Sequence, residues 1–247
     1  MMTEIIAHRG YRLVAPENTL PAFEAALAFH PDMLEMDVHR TLDGKLVIIH
    51  DEKVDRTTNG TGYVKDLTLA EIKALDAGSY KEPKMSNVTV PTLFEFLTFL
   101  KEQQFNQTLL LEVKTDHVTY PGIESEILDM VEIFKPNYPI IYQSFNLESL
   151  KIIRKLKPDA EIAALVFWVT PKVLWLKFRG VFDYIHPDIR ILNRKPAFFW
   201  RKNAHIRPWT VDKESDMRRV FEANIPGIIT NQVALAVKMR KEIQEHE

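Results

Sequence analysis

The sequence predicts an α/β protein, a (β/α)8 TIM barrel with a small insertion after its second strand. Short apolar runs alternate with helix-forming segments along the chain, and eight of these runs are expected to be barrel strands. The length of 247 residues is close to the usual size of this fold, and no linker-like or low-complexity stretch interrupts the alternation. We therefore expect residues 1–247 to form one domain, with residues 52–90 as the insertion.

The first two predicted barrel strands are residues 5–7 and residues 34–39. Between them, Asn18 or Thr19 is expected to cap a helix. A turn at residues 43–44 then leads into residues 46–49, which we interpret as the second arm of a hairpin that extends the second strand.

The stretch between His50 and the next barrel helix is about forty residues long, whereas such connections usually take about two to six. It contains a turn-rich segment at residues 57–62 and a helix whose capping box begins at Thr68. We interpret this stretch as an insertion that folds over the tip of the second strand. A second capping box, Thr92 to Glu95, begins the helix that returns the chain to the barrel.

The alternation of strands and helices continues to the end of the chain. The helices in this half include one from about Gly122, one capped by Asn146 and a final one through Met239. The six remaining barrel strands are expected at residues 109–114, 140–145, 161–167, 182–186, 206–211 and 227–230.

The composition restricts the chemistry before any motif is considered. Lys and Arg number 32 against 34 Asp and Glu, a net charge of -2, so no global basic field indicates nucleic acid as a partner. Cysteine is absent, which excludes disulfides, thiol catalysis and cysteine-ligated metals. The N-terminal apolar run is too short for a signal peptide and no stretch has the apolar length of a membrane span, so we expect a cytoplasmic protein.

Acidic residues occupy the second strand at positions where apolar ones are usual. Alternation of side chains sends Glu35, Asp37 and His39 to one face, and buried carboxylates have to be hydrated, protonated or bound to a cation. We expect His39 to be either exposed or placed behind the site. Active sites of this fold lie at the C-terminal ends of the strands. That rule gathers one cluster: His8, Arg9, Glu35, Asp37, His50, Glu112 and Lys114.

This cluster favours phosphate ester chemistry. Three carboxylates without thiols suit Mg²⁺ or Ca²⁺ rather than zinc, and Arg9 and Lys114 would attract an anion. Two histidines allow one to accept a proton while the other donates one. An internal ion pair between Glu112 and Lys114 is the structural alternative, and a carboxylate-pair glycosidase is a competing reaction class on the same fold.

Seven motifs carry a resemblance to a known family, in this order: His8-Arg9-Gly10, Pro16-Glu17-Asn18-Thr19, Glu35-x-Asp37, His50-Asp51, Glu112-x-Lys114, Gln143-Ser144-Phe145 and Trp209-Thr210-Val211. Together they resemble the signatures of the glycerophosphodiester phosphodiesterase family, over essentially the whole chain. Two positions depart from that pattern, because Asp212 stands where Asn is common and Asn231 where Asp is common.

The resemblance implies a TIM barrel that hydrolyses glycerophosphodiesters, a class of small molecules, to glycerol 3-phosphate and an alcohol. It implies one divalent cation, Mg²⁺ or Ca²⁺, held by Glu35, Asp37 and Glu112. It further implies that His8 and His50 are the acid/base pair and that Arg9 and Lys114 bind the phosphate. Lysophospholipids are the alternative substrates, and a non-catalytic phosphate- or lipid-binding barrel is the alternative to an enzyme.

Two further residues are assigned with an alternative open, and a third is assigned one role. Gln143 is expected to contact substrate, although strand-end hydrogen bonding would also explain it. Trp209 is expected to pack against the glycerol, or else to be part of the core. His186 is expected to be structural.

Aromatic and basic residues follow the predicted fifth and sixth strands, in residues 166–179 and residues 198–202. Helices packing on the barrel would explain most of this pattern. The alternative is a rim that holds an acyl chain or contacts an anionic membrane surface. The sequence does not indicate an oligomeric state.

Overall fold

The computed structural model describes residues 2–193 and residues 206–245. The aromatic and basic residues predicted at 198–202 lie outside the described residues. The strands are β1 Glu4–His8, β2 Met33–Arg40, β3 Leu46–Ile48, β4 Thr108–Val113, β5 Ile140–Ser144, β6 Glu161–Val166, β7 Tyr184–Pro187 and β8 Gly227–Thr230.

Helices alternate with these strands along the described parts of the chain. The α-helices are α1 Leu20–Leu27, α2 Leu69–Lys73, α3 Leu93–Glu102, α4 Ile123–Phe134, α5 Leu147–Leu156, α6 Pro171–Phe178, α7 Glu214–Glu222 and α8 Val233–Gln244. Short 3-10 turns cover Val64–Asp66 and Ile189–Asn193. None of the helices in the described ranges is both long and apolar enough to cross a membrane.

The strands form a parallel sheet in the order β7, β6, β5, β4, β2, β1, β8, and β3 pairs antiparallel with β2 as the predicted hairpin. Residues 206–211 close this sheet into a barrel. The backbone N–H of Arg207 donates to Ile185 on β7, and the N–H of Ile229 on β8 donates to the carbonyl of Pro208. The predicted (β/α)8 architecture is confirmed. The predicted strand at 206–211 makes only isolated bridges, because Pro208 has no N–H for the ladder.

Side-chain alternation divides the strands into two faces. Leu34, Met36 and Val38 of β2 belong to the large cluster that includes the buried faces of the helices. On the opposite face, inside the barrel, lies a smaller apolar cluster: Ile6, Met33, Leu110, Ile141, Ala163 and Ile229. Glu35 and Asp37 share this interior face and lie nearer the C-terminal ends of the strands, so the interior apolar cluster lies between them and the N-terminal end of the barrel.

The segment after β3 has an apolar cluster of its own, in which Val54, Val64 and Ile72 pack against Val47 and Ile49. Both predicted capping boxes are present. In each, the threonine side chain accepts a hydrogen bond from the backbone N–H of the glutamate, and the glutamate side chain accepts one from the backbone N–H of the threonine. The two pairs are Thr68 with Glu71 and Thr92 with Glu95.

The predicted cap of α1 is correct in position, but the capping hydrogen bond is not made. Thr19 occupies the capping position, but its hydroxyl donates to the carbonyl of Pro16. The Asn18 side chain instead donates to Asp37 in the barrel.

Candidate active site

A cavity of about 710 Å³ opens at the C-terminal ends of the strands. The predicted site residues that line it are His8, Arg9, Glu35, His50, Glu112, Lys114, Gln143 and Trp209. Asp37 is fully buried beneath them. The strand register explains this convergence, because Asp37 on β2 is paired with Glu112 on β4, and Glu112 is paired with Gln143 on β5. His8 on β1 is likewise paired with Glu35.

Glu35, Asp37 and Glu112 each bring one carboxylate oxygen to within 4.8 Å of the other two. Burial and the neighbouring carboxylates raise the pKa of Glu35 well above its ordinary value, and burial raises the pKa of Glu112 to about 7. Burial would also raise the pKa of Asp37, but the Arg9 guanidinium keeps that pKa far below its ordinary value. Three buried acids are therefore in mutual repulsion.

The acid cluster fits a divalent cation. Within the described residues, Asp37 Oδ1 is buried and accepts no hydrogen bond, although Lys114 Nζ lies 3.9 Å away. A buried carboxylate oxygen without a donor is costly, and a hard cation among three carboxylates would satisfy it. Glu112 also accepts a 2.8 Å hydrogen bond from Lys114, so the predicted ion pair is present inside the candidate site.

Arg9 is held at the cavity by neighbouring acids and by a tight turn. Its Nη1 donates to Glu17 at 2.8 Å, and its Nε lies 3.3 Å from Asp37. The backbone N–H of Arg9 donates to Glu35. The next residue, Gly10, has φ +75°, and a Cβ there would lie 2.6 Å from the backbone of Ala22. Only glycine allows the turn that aims Arg9 at the acids.

The orientation of His8 is set from the far end of the chain. His8 Nδ1 lies 2.8 Å from Asn231 Oδ1, and Asn231 Nδ2 donates to Asp212 at 2.6 Å. Because a carboxylate only accepts, the amide nitrogen of Asn231 must face Asp212 and its oxygen must face His8. His8 therefore carries its proton on Nδ1, which leaves Nε2 as the unprotonated atom. Burial and the charge of Arg9 lower the pKa of His8 to about 3, consistent with a neutral ring.

His50 has a charged partner where His8 has a neutral one. Its Nδ1 lies 2.6 Å from Asp51 Oδ1, and Asp51 is paired with Arg56. The backbone carbonyl of His50 accepts a bond from His39 Nε2 at 3.0 Å. His39 is 1% exposed and also contacts Tyr120, so of the two predicted placements the one behind the site is correct.

Gln143 links the acid cluster to a second buried histidine. Its Nε2 donates to Glu35 at 3.1 Å, while its Oε1 lies 2.8 Å from His186 Nδ1. Because the amide nitrogen of Gln143 donates to Glu35, its oxygen faces His186 and accepts, so His186 carries its proton on Nδ1. His186 is fully buried, so it supports Gln143 from behind and has no exposure to the cavity.

One wall of the cavity is aromatic. Phe145 stacks on Phe167 with ring centroids 5.3 Å apart, and both rings contact Trp209 edge to face. The Trp209 indole N–H donates to the carbonyl of His186 at 2.7 Å. Trp209 therefore packs against the barrel and also lines the cavity, and its contact with the glycerol stays a prediction.

Several partners of the site residues were not predicted. Glu17 and Asn18 lie in a motif for which only a helix cap was expected, and no role was expected for Asp51 beyond its place next to His50. Asp212 and Asn231 stood out only as departures from a family pattern. The adjacency of Asp51 to His50 was the one signal available without coordinates.

Nearly the whole chain is similar to one known family. The model of the glycerophosphoryl diester phosphodiesterase family matches residues 8–235. A glycerophosphodiester phosphodiesterase of Caldanaerobacter subterraneus subsp. tengcongensis is 38% identical over 232 residues, which are 94% of this chain and 95% of that protein. A glycerophosphodiester phosphodiesterase of Bacillus altitudinis is 36% identical over 247 residues, 98% of this chain and 100% of that protein.

Solved structures show the same fold. An Oleispira antarctica phosphodiesterase in complex with the product sn-glycerol-3-phosphate has a TM-score of 0.80 and 27% identity, covering 98% of this chain and 97% of that one. A structure from Silicibacter pomeroyi has a TM-score of 0.84 at 24% identity, covering 98% of this chain and 94% of that one, a likeness that shows the fold alone.

Proposed function

Because the chain belongs to the glycerophosphoryl diester phosphodiesterase family, we propose that it hydrolyses glycerophosphodiesters to glycerol 3-phosphate and an alcohol with the help of one divalent cation. The observation that carries this proposal is the convergence of three buried carboxylates, two oriented histidines and the positively charged side chains of Arg9 and Lys114 on one cavity. A glycosidase would use a carboxylate pair and would not need the histidines or the Lys114 beside Glu112.

Glu35, Asp37 and Glu112 are the residues that would hold the cation. Their oxygens suit Mg²⁺ and Ca²⁺ alike, because both are hard cations with oxygen ligands. When bound, such an ion acts as a Lewis acid on the phosphoryl group and offsets the negative charge of the ester. Gln143 and the backbone of Arg9 keep Glu35 oriented, since each donates to one of its two carboxylate oxygens.

His8 and His50 divide the proton transfers between them. His8 holds a lone pair on Nε2 and is the general base that takes the proton from the attacking hydroxyl, of water or of the glycerol 2-position. His50, whose Nδ1 lies 2.6 Å from the Asp51 carboxylate that orients the ring, is the general acid that protonates the leaving alcohol oxygen. Attack by the glycerol hydroxyl gives a cyclic phosphate, which water then opens.

Arg9 and Lys114 would bind the phosphate. Both are buried, and Arg9 is paired with Asp37 and Lys114 with Glu112, so they are held in place before substrate arrives. Their charges would stabilise the charge that builds on the phosphoryl oxygens. Trp209, with Phe145, offers a face for the glycerol carbons. The predicted contact of Gln143 with substrate stays a prediction, since both ends of its amide are engaged.

Residues 52–90 would act as an insertion that steadies the cavity. Arg56 donates to Glu17 at 2.7 Å and pairs with Asp51, and the Tyr80 hydroxyl accepts from the backbone N–H of Glu17. The insertion thereby braces both Glu17, the partner of Arg9, and Asp51, the partner of His50. The arrangement of residues 1–247 as one domain with this insertion is part of the proposal, and the cytoplasmic location stays a prediction.

Lysophospholipids are the second candidate substrates. The apolar wall of Phe145, Phe167 and Trp209 favours them, because it could hold the first carbons of an acyl chain. On such a substrate the same bond cleavage would give a lysophosphatidic acid in place of glycerol 3-phosphate.

The test is a product assay on glycerophosphocholine, glycerophosphoethanolamine and lysophosphatidylcholine. We expect glycerol 3-phosphate from the first two substrates, and a loss of turnover of roughly a hundredfold or more in His8→Ala and in His50→Ala. His30→Asn, a change at an exposed histidine outside the cavity, is the matched control. Turnover of lysophosphatidylcholine alone would replace the first substrate class with the second, and absence of turnover on all three would overturn the proposal.

A further inference from the structure

Large exposed apolar side chains lie at the cavity rim and along α6, the helix that follows the rim in the chain. These five side chains, which we call the rim patch, are Phe167, Trp168, Leu174, Trp175 and Phe178. Their exposure ranges from 41% for Trp168 to 87% for Phe178. Five large exposed apolar residues within twelve consecutive positions are unusual, and exposed apolar residues grouped in this way indicate an interaction site.

Packing on the barrel does not account for the exposed side chains of α6. The inward face of α6 is occupied by Val173 and Leu176, which are 4% and 3% exposed. Leu174, Trp175 and Phe178 lie at i, i+1 and i+4 on the outer face of the same helix. The prediction that helix packing explains the apolar residues of this segment therefore holds for Val173 and Leu176 of α6, and it does not hold for the exposed residues on the outer face of that helix.

The charge of the segment points to an anionic partner. Residues 167–182 contain three basic residues, Lys172, Lys177 and Arg179, and no acidic residue. Lys172 and Arg179 are exposed, and the Arg179 guanidinium lies 5.5 Å from the Trp175 ring centroid. Interleaved aromatic rings and basic groups suit the boundary between lipid headgroups and acyl chains.

One residue of the rim patch also lines the substrate cavity. Phe167 belongs to the patch, lines the cavity and stacks on Phe145. A surface held against the patch would thus lie beside the cavity mouth, near the wall that ends at Trp209.

We propose that the rim patch docks this enzyme on an anionic phospholipid bilayer. The aromatic side chains enter the headgroup region, while Lys172 and Arg179 contact anionic headgroups. A second copy of the chain would meet the patch with the same positive charge, which disfavours self-association through it. The docking is separate from the hydrolytic chemistry, because Trp175 and Phe178 contribute nothing to the cavity lining.

The experiment is co-sedimentation of the full chain with vesicles of phosphatidylcholine alone or of phosphatidylcholine with about 30% phosphatidylglycerol. We expect binding to the anionic vesicles that weakens with added salt, since basic residues contribute. Trp175→Ser/Phe178→Ser should lower the partition coefficient at least tenfold, and Lys172→Glu/Arg179→Glu should do the same. Ile133→Ser, on α4 and 78% exposed, is the control that should bind like the parent.

Two further measurements separate the possible outcomes. Turnover of glycerophosphocholine in solution is expected to be unchanged in Trp175→Ser/Phe178→Ser, which shows that the variant is folded. Sedimentation velocity without vesicles reports any self-association through the patch. Equal vesicle binding by parent and variant, or a change confined to the oligomeric state, overturns the proposal. A parent without turnover that still binds vesicles would instead contradict the proposed function alone.

Discussion

The side chain of Asn231 accepts a 2.8 Å hydrogen bond from His8 Nδ1, although 223 residues separate the two. Asp212 fixes the other end of the same amide at 2.6 Å and also accepts from the backbone N–H of Asn231. The ring of His8 is thereby locked in one orientation and one tautomer. The proposed base is thus positioned by a neutral amide, whereas the proposed acid, His50, is positioned by the Asp51 carboxylate.

Exchange of the Asp212–Asn231 pair tests this arrangement. Asn231→Asp alone sets two carboxylates at hydrogen-bonding distance, so we expect turnover to fall roughly ten- to a hundredfold as His8 loses its position. Asp212→Asn/Asn231→Asp restores one donor and one carboxylate, and should recover most of the loss. Steady-state kinetics of the parent, the single variant and the double variant measure the effect. A double variant no better than Asn231→Asp would show that the pair does not act through this hydrogen bond.

The buried Glu17 should stabilise the fold in a pH-dependent manner. Burial alone would raise its pKa, but the hydrogen bond from Arg56 and the charges of Arg9 and Arg12 lower the pKa from 4.5 to about 2. An acid with a depressed pKa contributes stability above its unfolded pKa, and loses that contribution as the pH falls toward its folded pKa. The shift corresponds to roughly 3 kcal/mol at pH 7 and about 1 kcal/mol at pH 3.

Urea unfolding of the parent and of Glu17→Gln at pH 7 and pH 3 checks this expectation. The difference in free energy of unfolding between the two proteins should be larger at pH 7. A difference that is equal at the two pH values would mean that the ion pairs of Glu17 do not stabilise the fold.

His186 is expected to act on the cation site through Gln143. In His186→Leu, Gln143 loses the donor that orients its amide, and we expect the affinity for Mg²⁺ or Ca²⁺ to fall about tenfold or more. In His186→Asn, the side-chain nitrogen can replace Nδ1 as donor, so the affinity should be largely retained. Calorimetric titration with each ion measures binding without turnover. Equal affinities in the two variants would assign His186 a packing role alone.

Cation binding should stabilise the protein more at pH 8 than at pH 6. Burial raises the pKa of Glu112 from 4.5 to about 7, so this carboxyl supports the fold while protonated and destabilises it as the pH rises through about 7. A cation binds the ionised form and removes the repulsion, whereas at pH 6 it has to displace a proton.

Thermal unfolding with and without Mg²⁺ or Ca²⁺ at the two pH values measures this effect. We expect a rise in Tm of several degrees at pH 8, a smaller rise at pH 6 and no rise in Glu112→Gln. The same rise in parent and variant would place the cation elsewhere.

The barrel and the acid cluster were predictable because they follow from local rules. The period of two along β2 separates Glu35 and Asp37 from Leu34 and Met36, and parallel strands bring their C-terminal ends to one edge. The side chains on neighbouring strand ends then had to meet. Both Thr-x-x-Glu capping boxes were also predictable, since each is formed within four residues.

The partners that orient the site were not predictable in this way. Asn18 is a residue type that often caps helices. Its side-chain amide instead donates to Asp37 inside the barrel, a contact that only the folded structure reveals. The bond between His8 and Asn231 depends on closure of the barrel, which places the last strand beside the first. Pro208 interrupts the ladder at residues 206–211, although the apolar pattern there resembled a regular strand.

The central claim is that Glu35, Asp37 and Glu112 hold one divalent cation that hydrolysis requires. Release of glycerol 3-phosphate from glycerophosphocholine, measured in excess chelator and again after Mg²⁺ or Ca²⁺ is restored, tests it most directly. We predict no detectable turnover in chelator, recovery with at least one of the two ions, and no recovery in Glu35→Gln. Full turnover in chelator, or parent-like turnover by Glu35→Gln, would contradict the claim.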